Sequence, residues 1–282
     1  MYKIGLSTTG EKISEKTIKM YGDCGIEYIE ISTSKENTDA IDFEKLIFWC
    51  NKYGVKIWSL HLPFCPFSVI DISNEALASF SVKYLSDLIL KAGKVGIDKF
   101  IIHASGEPID ENDRASRMAT AKKSLYALCE AAKSVSGTIC VEDLPRSCLG
   151  RTSDDILDLL SAHQDLKACF DTNHLLGEDN CHFIRAVGNK IITLHVSDYD
   201  FVNERHWLPG EGKNDWQGIL QALKEIGYNG IWLYEIDMHT PKTIIRPRSL
   251  TPHDFIKNAN EVFENKKITV ISTPKENLGY WD

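Results

Sequence analysis

A chain of 282 residues, 43% hydrophobic and 26% charged with a net charge of −8, suits one large globular domain. Its acidity gains nothing from phosphate counterion release, so nucleic acid is a disfavoured partner. No apolar run nears the ~18 residues that cross a bilayer, which argues against a membrane partner.

The opening Met1-Tyr2-Lys3-Ile4 lacks the basic-then-apolar layout of an export signal. Eight cysteines are scattered with no Cys-x-x-Cys, as expected of reduced, mostly buried thiols in a cytoplasmic protein.

In chain order, β-rich runs occupy 3–8 (KIGLST), 28–33 (YIEIST), 55–61 (VKIWSLH), 99–105 (KFIIHAS), 138–143 (TICVED), 167–172 (KACFDT), 192–197 (ITLHVS) and 231–236 (IWLYEI). Segments with apolar residues three and four apart separate them, among them 75–95, 113–135, 153–162, 216–226 and 252–265. Start signals precede several, such as Thr251-Pro252 before the last. Strand and helix alternating eight times predicts a closed (β/α)8 TIM barrel, an α/β fold, as a single domain over 1–282. The barrel would run from about 3 to 265, with a C-terminal extension, 266–282, packed outside. The competing open doubly wound sheet would carry a glycine-rich phosphate turn after its first strand, and STTGEKIS is not one.

A barrel keeps its active site at the C-terminal strand ends. Here strands three to eight end at His61, His103, Glu142, Asp171, His195 and Glu235. Asp and Glu number 40 and His 9 of 282 residues, so six consecutive ends carrying one are not expected by chance. One such histidine alone is more often a hydrogen-bonded core residue, and one such carboxylate a helix cap. Gathered at one mouth, these groups would repel or desolvate one another without a cation, and a divalent metal relieves both problems. After strand seven, the loop 199–209 would fold over the mouth and bring Arg205, His206 and Trp207 toward a substrate. Asp198 would orient a neighbouring ligand, and Pro209-Gly210-Glu211-Gly212 would turn the chain into the next helix. Arg146 and Arg151 are candidates to clamp a substrate phosphate or carboxylate, Glu107 to hold a hydroxyl, and Phe64 to stack on a sugar face. Surface salt bridges are the plainer reading of Arg151 and Glu107.

The segments VEDLPRSCLGRTSDD, FDTNH, LHVSDYD, ERHWLPGEGKNDW and GYNGIWLYE together resemble the xylose-isomerase-like TIM-barrel superfamily from about residue 3 to 265. That group includes sugar isomerases and epimerases, dehydratases and endonuclease IV. The resemblance implies one divalent metal, Mn2+ or Zn2+ first and Mg2+ or Co2+ next, on Glu142, Asp171, His195 and Glu235. It places His174 and Arg205 against substrate oxygens. His61 and His103 could be ligands, substrate contacts or polar wall, and His206, Trp207 and Arg146, read from their own loops, are further candidate substrate contacts. It implies an isomerase or epimerase of a small sugar, sugar phosphate or sugar acid. Glu142 and Glu235 would move a proton beside a carbonyl, and the metal would stabilise the enediolate charge. A dehydratase on the same barrel is one alternative. A three-zinc phosphodiesterase is the other, because all nine ligand positions of endonuclease IV have a counterpart here: His61, His103, Glu142, Asp171, His174, His195, Glu204, His206 and Glu235. Only Glu204 departs, standing in place of an aspartate. Loops one and two lack the arginines and wedge residues expected of a DNA-kinking enzyme. A small carbohydrate is the expected partner, and a homo-oligomer and the docking of Tyr280-Trp281 stay open.

Overall fold

The computed structural model describes residues 1–276 and 278–279. The elements run β1 (Ile4–Ser7), α1 (Glu15–Asp23), β2 (Tyr28–Ile31), α2 (Lys35–Asp39), α3 (Phe43–Tyr53), β3 (Lys56–His61), α4 (Glu75–Gly93) and β4 (Lys99–His103). They continue with α5 (Arg114–Lys133), β5 (Thr138–Glu142), α6 (Ser153–Leu160), β6 (Lys167–Asp171), α7 (Asn180–Val187), β7 (Ile191–His195), α8 (Trp216–Glu225) and β8 (Trp232–Tyr234). A short β9 (Ile244–Ile245), α9 (Pro252–Phe263) and β10 (Thr273–Pro274) complete the chain.

Eight strands pair in parallel in the order β7-β6-β5-β4-β3-β2-β1-β8. The ring closes where Val196 N donates to Leu233 O at 2.8 Å and Glu235 N to Val196 O at 3.2 Å. This is the (β/α)8 barrel expected from the alternation, and the closure rules out the open sheet. β8 pairs with β1 as far as Tyr234, which also bridges Val196, and Glu235 follows directly after it. Helix starts follow local chemistry: Ser14, Asp42, Asn74, Thr152, Asp179 and Asp215 each accept a main-chain N–H of the first turn. Thr251 and Asp254 form a reciprocal capping box ahead of α9.

The two-residue pleat sorts the strand side chains. Phe100 and Ile102, Ile139 and Val141, Ala168 and Phe170, and Leu194 and Val196 join the large core between strands and helices. Their alternates Ile101, Cys140 and Cys169 form a separate small cluster with Ile192. One pleat step further along those strands stand His103, Glu142 and Asp171, so the barrel interior passes from an apolar plug to a charged ring in a single layer. A register shift between Ile29 and Glu30 brings Ser59 opposite Glu30, and one between Ala168 and Cys169 brings Thr193 opposite Cys169.

After α9, β10 pairs antiparallel with β9. Tyr280 and Trp281 lie outside the described residues. Among the described residues no helix is long and apolar enough to cross a membrane. All eight cysteines are free thiols, and five of them are buried.

Candidate active site

The six predicted strand ends converge. Glu142 is fully buried at the centre. Its Oε2 lies 3.1 Å from Nε2 of both His61 and His103, and its Oε1 lies 2.7 Å from His195 Nδ1. Glu235 Oε2 stands 3.3 Å and Asp171 Oδ2 4.0 Å from the same His195 nitrogen. Ligand atoms of Glu142, Asp171, His195 and Glu235 lie within 4.8 Å of one another. Among the described residues four further groups of the same kind occur; two of them lie wholly on the cavity wall, His61, His103 and Glu142, and His174, Glu204 and His206.

Orientation of the rings is set by what holds the far nitrogen. His61 Nδ1–H donates to Leu62 O (3.0 Å), His174 Nδ1–H to Asp143 O (2.8 Å) and His206 Nδ1–H to Glu235 O (3.1 Å). Each therefore presents Nε2 to the cavity. Asn173 Oδ1 accepts from Arg205 N at 2.8 Å and His206 N at 3.3 Å. That bond supports His206 in a left-handed conformation (φ 50°), which is uncommon for residues other than glycine.

Electrostatics separate the carboxylates. Burial works to raise Glu142, but the imidazoles of His195, His103 and His61 outweigh it and hold Glu142 well below the usual carboxylate range. Burial raises Glu235 despite His195, helped by the charges of Glu142 and Asp171. His174 is driven well above its ordinary value: burial opposes this, and Asp171, Glu204 and Glu142 prevail.

The cavity over this ring is ≈ 420 Å³, and its wall includes His61, His103, Glu142, His174, His206 and Glu235. Phe64 also lines it and stacks on His103 with ring centres 3.9 Å apart. Arg146 reaches the wall, but its guanidinium is engaged by Glu107, by Glu204 at 2.9 Å and by Asn203 Oδ1 at 2.6 Å. Arg146, a candidate substrate clamp, and Glu107, read more plainly as a salt-bridge partner, thus hold each other and tie together the loops after β4, β5 and β7. Arg205 also lines the cavity, and its guanidinium is buried and donates to Asp200 Oδ2 (2.9 Å) and Gly279 O (2.8 Å). Trp207, expected toward substrate, is 2% exposed, is not part of the cavity wall, and donates its indole N–H to Thr243 Oγ1 at 2.9 Å. The antiparallel pairing of Trp207 with Asp198 fixes it there. Arg151 pairs with Glu111 at the surface.

Asp198 does not orient a ligand ring. Its Oδ1 accepts from Tyr199 N (2.9 Å) and Asn214 N (3.1 Å), and its Oδ2 from Gly210 N (2.8 Å) and Trp216 Nε1 (3.1 Å). Gly210 supplies the positive φ (93°) at which its N–H makes that contact. Asp198 therefore staples the whole loop 199–216. Asp198→Ala strips a buried carboxylate from four donors, and the expected loss of folding stability is ~3–5 kcal/mol, read as a lower urea midpoint. A midpoint close to that of the parent would show the loop is held by other bonds.

Asn173, Asp143, Asp237 and Glu30 are site residues that the sequence alone did not single out. Glu30 is fully buried on β2, between Ile29 and Ile31. A carboxylate in a strand buried on both faces needs a partner, and that was the available signal.

The fold and site define a barrel with a charged, metal-competent mouth. The chain matches the family described as xylose isomerase-like TIM barrel over residues 19–258, and it belongs to that family. It is similar to the uncharacterized protein MJ1311 of Methanocaldococcus jannaschii, with 25% identity over 77% of this chain and 76% of that one. Fructoselysine 3-epimerase of Escherichia coli O157:H7 is 24% identical over 47% of this chain and 53% of its own. Among solved structures, a D-tagatose 3-epimerase-like protein superposes with a TM-score of 0.79 at 21% identity, covering 93% of this chain and 97% of that one.

Proposed function

We propose that this chain is a divalent-metal-dependent isomerase or epimerase of a small sugar, moving a proton on the carbon beside a carbonyl. The observation that carries the reading is the convergence of Glu142, Asp171, His195 and Glu235 with a buried Asp171 Oδ2 that has no hydrogen-bond partner among the described residues, its nearest imidazole nitrogen being His174 Nε2 at 3.7 Å. A buried carboxylate oxygen without a donor is costly, and a cation among these four is the partner that fits. Three carboxylates and one imidazole suit Mn2+ at least as well as Zn2+, with Mg2+ or Co2+ also matched by oxygen donors. When bound, such a cation acts as a Lewis acid on negative charge developing at substrate oxygens.

The chain's own groups would do the rest. Glu235, raised by burial and lining the cavity, takes the proton from carbon. In an epimerase a different proton would reach the opposite face through Glu142, supplied by the His61 ring whose Nε2 lies 3.1 Å from its Oε2, while Glu235 gives its own to solvent; in an isomerase Glu235 itself would return the proton to the adjacent carbon. Nε2 of His206 and, beside Glu204 Oε2 at 3.2 Å, Nε2 of His174 would face substrate oxygens. Both arginines of the wall are already committed to carboxylates, while Glu107, Glu142, Glu204, Glu235 and Asp237 all line the cavity. A neutral sugar therefore suits the site better than a phosphorylated or acidic one.

A second reading has its own support: the two additional triads would allow three cations and phosphoester hydrolysis. Metal analysis of the purified protein, with free ketoses and their phosphates assayed in deuterated water, separates the two. The expected result is one metal per chain and solvent exchange at carbon on a neutral sugar. Three zinc ions per chain with cleavage of an abasic duplex would replace the first reading by the second. Water loss instead of exchange would make the enzyme a dehydratase.

A further inference from the structure

We infer that Glu30 is a positioning residue that fixes the His195 ring, turning Nε2–H into the barrel and Nδ1 toward Glu142, Asp171 and Glu235. The inference rests on the metal site proposed above. His195 is fully buried, and its Nε2 lies 3.0 Å from Glu30 Oε1 and 3.1 Å from Oε2. Its Nδ1 lies 2.7 Å from Glu142 Oε1 on the other side. The ring is thus spanned between two carboxylates from β2 and β5, across the barrel from one another. Ser59 Oγ–H donates to Glu30 Oε2 at 2.6 Å, and the register shift at Ile29 and Glu30 is what brings Ser59 alongside.

The contrast with the other rings is informative. His61, His174 and His206 are each held through Nδ1 by a main-chain carbonyl and present Nε2. His195 is held the opposite way round, and by a carboxylate. A carboxylate draws the Nε2 proton toward itself and makes Nδ1 a stronger donor than a carbonyl partner would. His195 is also the histidine of the four-residue group, where three carboxylates already supply hard oxygens. Burying a further carboxylate beneath that group is unfavourable unless it does something for the ring above it.

The test uses the full chain, labelled with 15N-histidine and loaded with zinc. In the parent, NMR should show one histidine bonded to zinc through Nδ1 with a slowly exchanging Nε2 proton. In Glu30→Gln, which keeps an acceptor of similar shape but no charge, zinc affinity by titration should fall about 10- to 100-fold, and that proton signal should shift. Ser59→Ala, which only loosens Glu30, should weaken zinc a few-fold and serves if Glu30→Gln does not fold. Parent-like affinity in a folded Glu30→Gln, or in Ser59→Ala standing alone, would overturn the role of Glu30. So would zinc bonded through Nε2 of His195. If the parent itself binds no divalent cation, the metal reading fails and this inference with it, an outcome distinct from a parent that binds and a variant that binds equally well.

Discussion

Glu142→Gln is expected to lower turnover by at least about 10³-fold and to weaken divalent-cation binding by roughly 10²- to 10³-fold, because a buried charge that balances several partners is removed. Three imidazole nitrogens converge on this one carboxylate, two on Oε2 and one on Oε1. A glutamine amide offers one acceptor and one donor group, so at least one ring would meet an N–H where it now meets a lone pair. The same geometry has a pH signature in the EDTA-treated protein. Burial alone would lower His61, but Glu142 with Glu30 and Glu235 raises it to about 9. A raised histidine stabilises the fold fully below its unfolded value of about 6.5, and that contribution is lost as pH rises through the folded value. Stability by urea titration should therefore fall between about pH 6.5 and 9 in the parent and fall less in Glu142→Gln. Turnover within tenfold of the parent, on a substrate the parent converts, would remove Glu142 from the chemistry.

Glu235→Gln should behave differently. Its carboxylate lines the cavity and touches the cluster through a single 3.3 Å contact with His195 Nδ1. Glutamine keeps a ligand oxygen there, so cation occupancy should be recoverable at high Mn2+, while proton transfer is lost and turnover falls ~10²- to 10⁴-fold. The informative measurement is exchange of the substrate C–H with solvent deuterium at saturating metal. Loss of exchange in a metal-filled variant assigns Glu235 the proton. Exchange at the parental rate would leave it a ligand only, and the proton would then belong to another group of the wall. The two variants are read as a pair: Glu142→Gln should fail in binding and chemistry together, Glu235→Gln chiefly in chemistry.

The alternation of β-rich runs with helix-length apolar patterns, repeated eight times, was enough to read the barrel and the six acidic and imidazole side chains at its strand ends. Residues such as His103, Glu142 and Asp171 follow one pleat step after an inward apolar residue, and every βα unit delivers its strand end to the same rim. Nothing beyond local order is needed for that. The residues whose roles changed or were missed are those whose partners are remote in sequence. Arg146 meets Glu107 and Glu204, residues 39 and 58 positions away, so it braces loops where an isolated arginine would suggest a substrate clamp. Asp198 was expected to serve the metal, yet its donors come from the loop that follows it. Trp207 turns from the cavity because its strand-like pairing with Asp198 sets which way it faces. Glu30 is 165 positions from His195, and only ring closure brings them together. The sequence by itself therefore determined the barrel and which side chains stand at its mouth, because both follow from short-range periodicity. Which of those side chains are left facing the cavity, and which are consumed by one another, was decided by tertiary structure, since a charge's role depends on the nearest opposite charge in space.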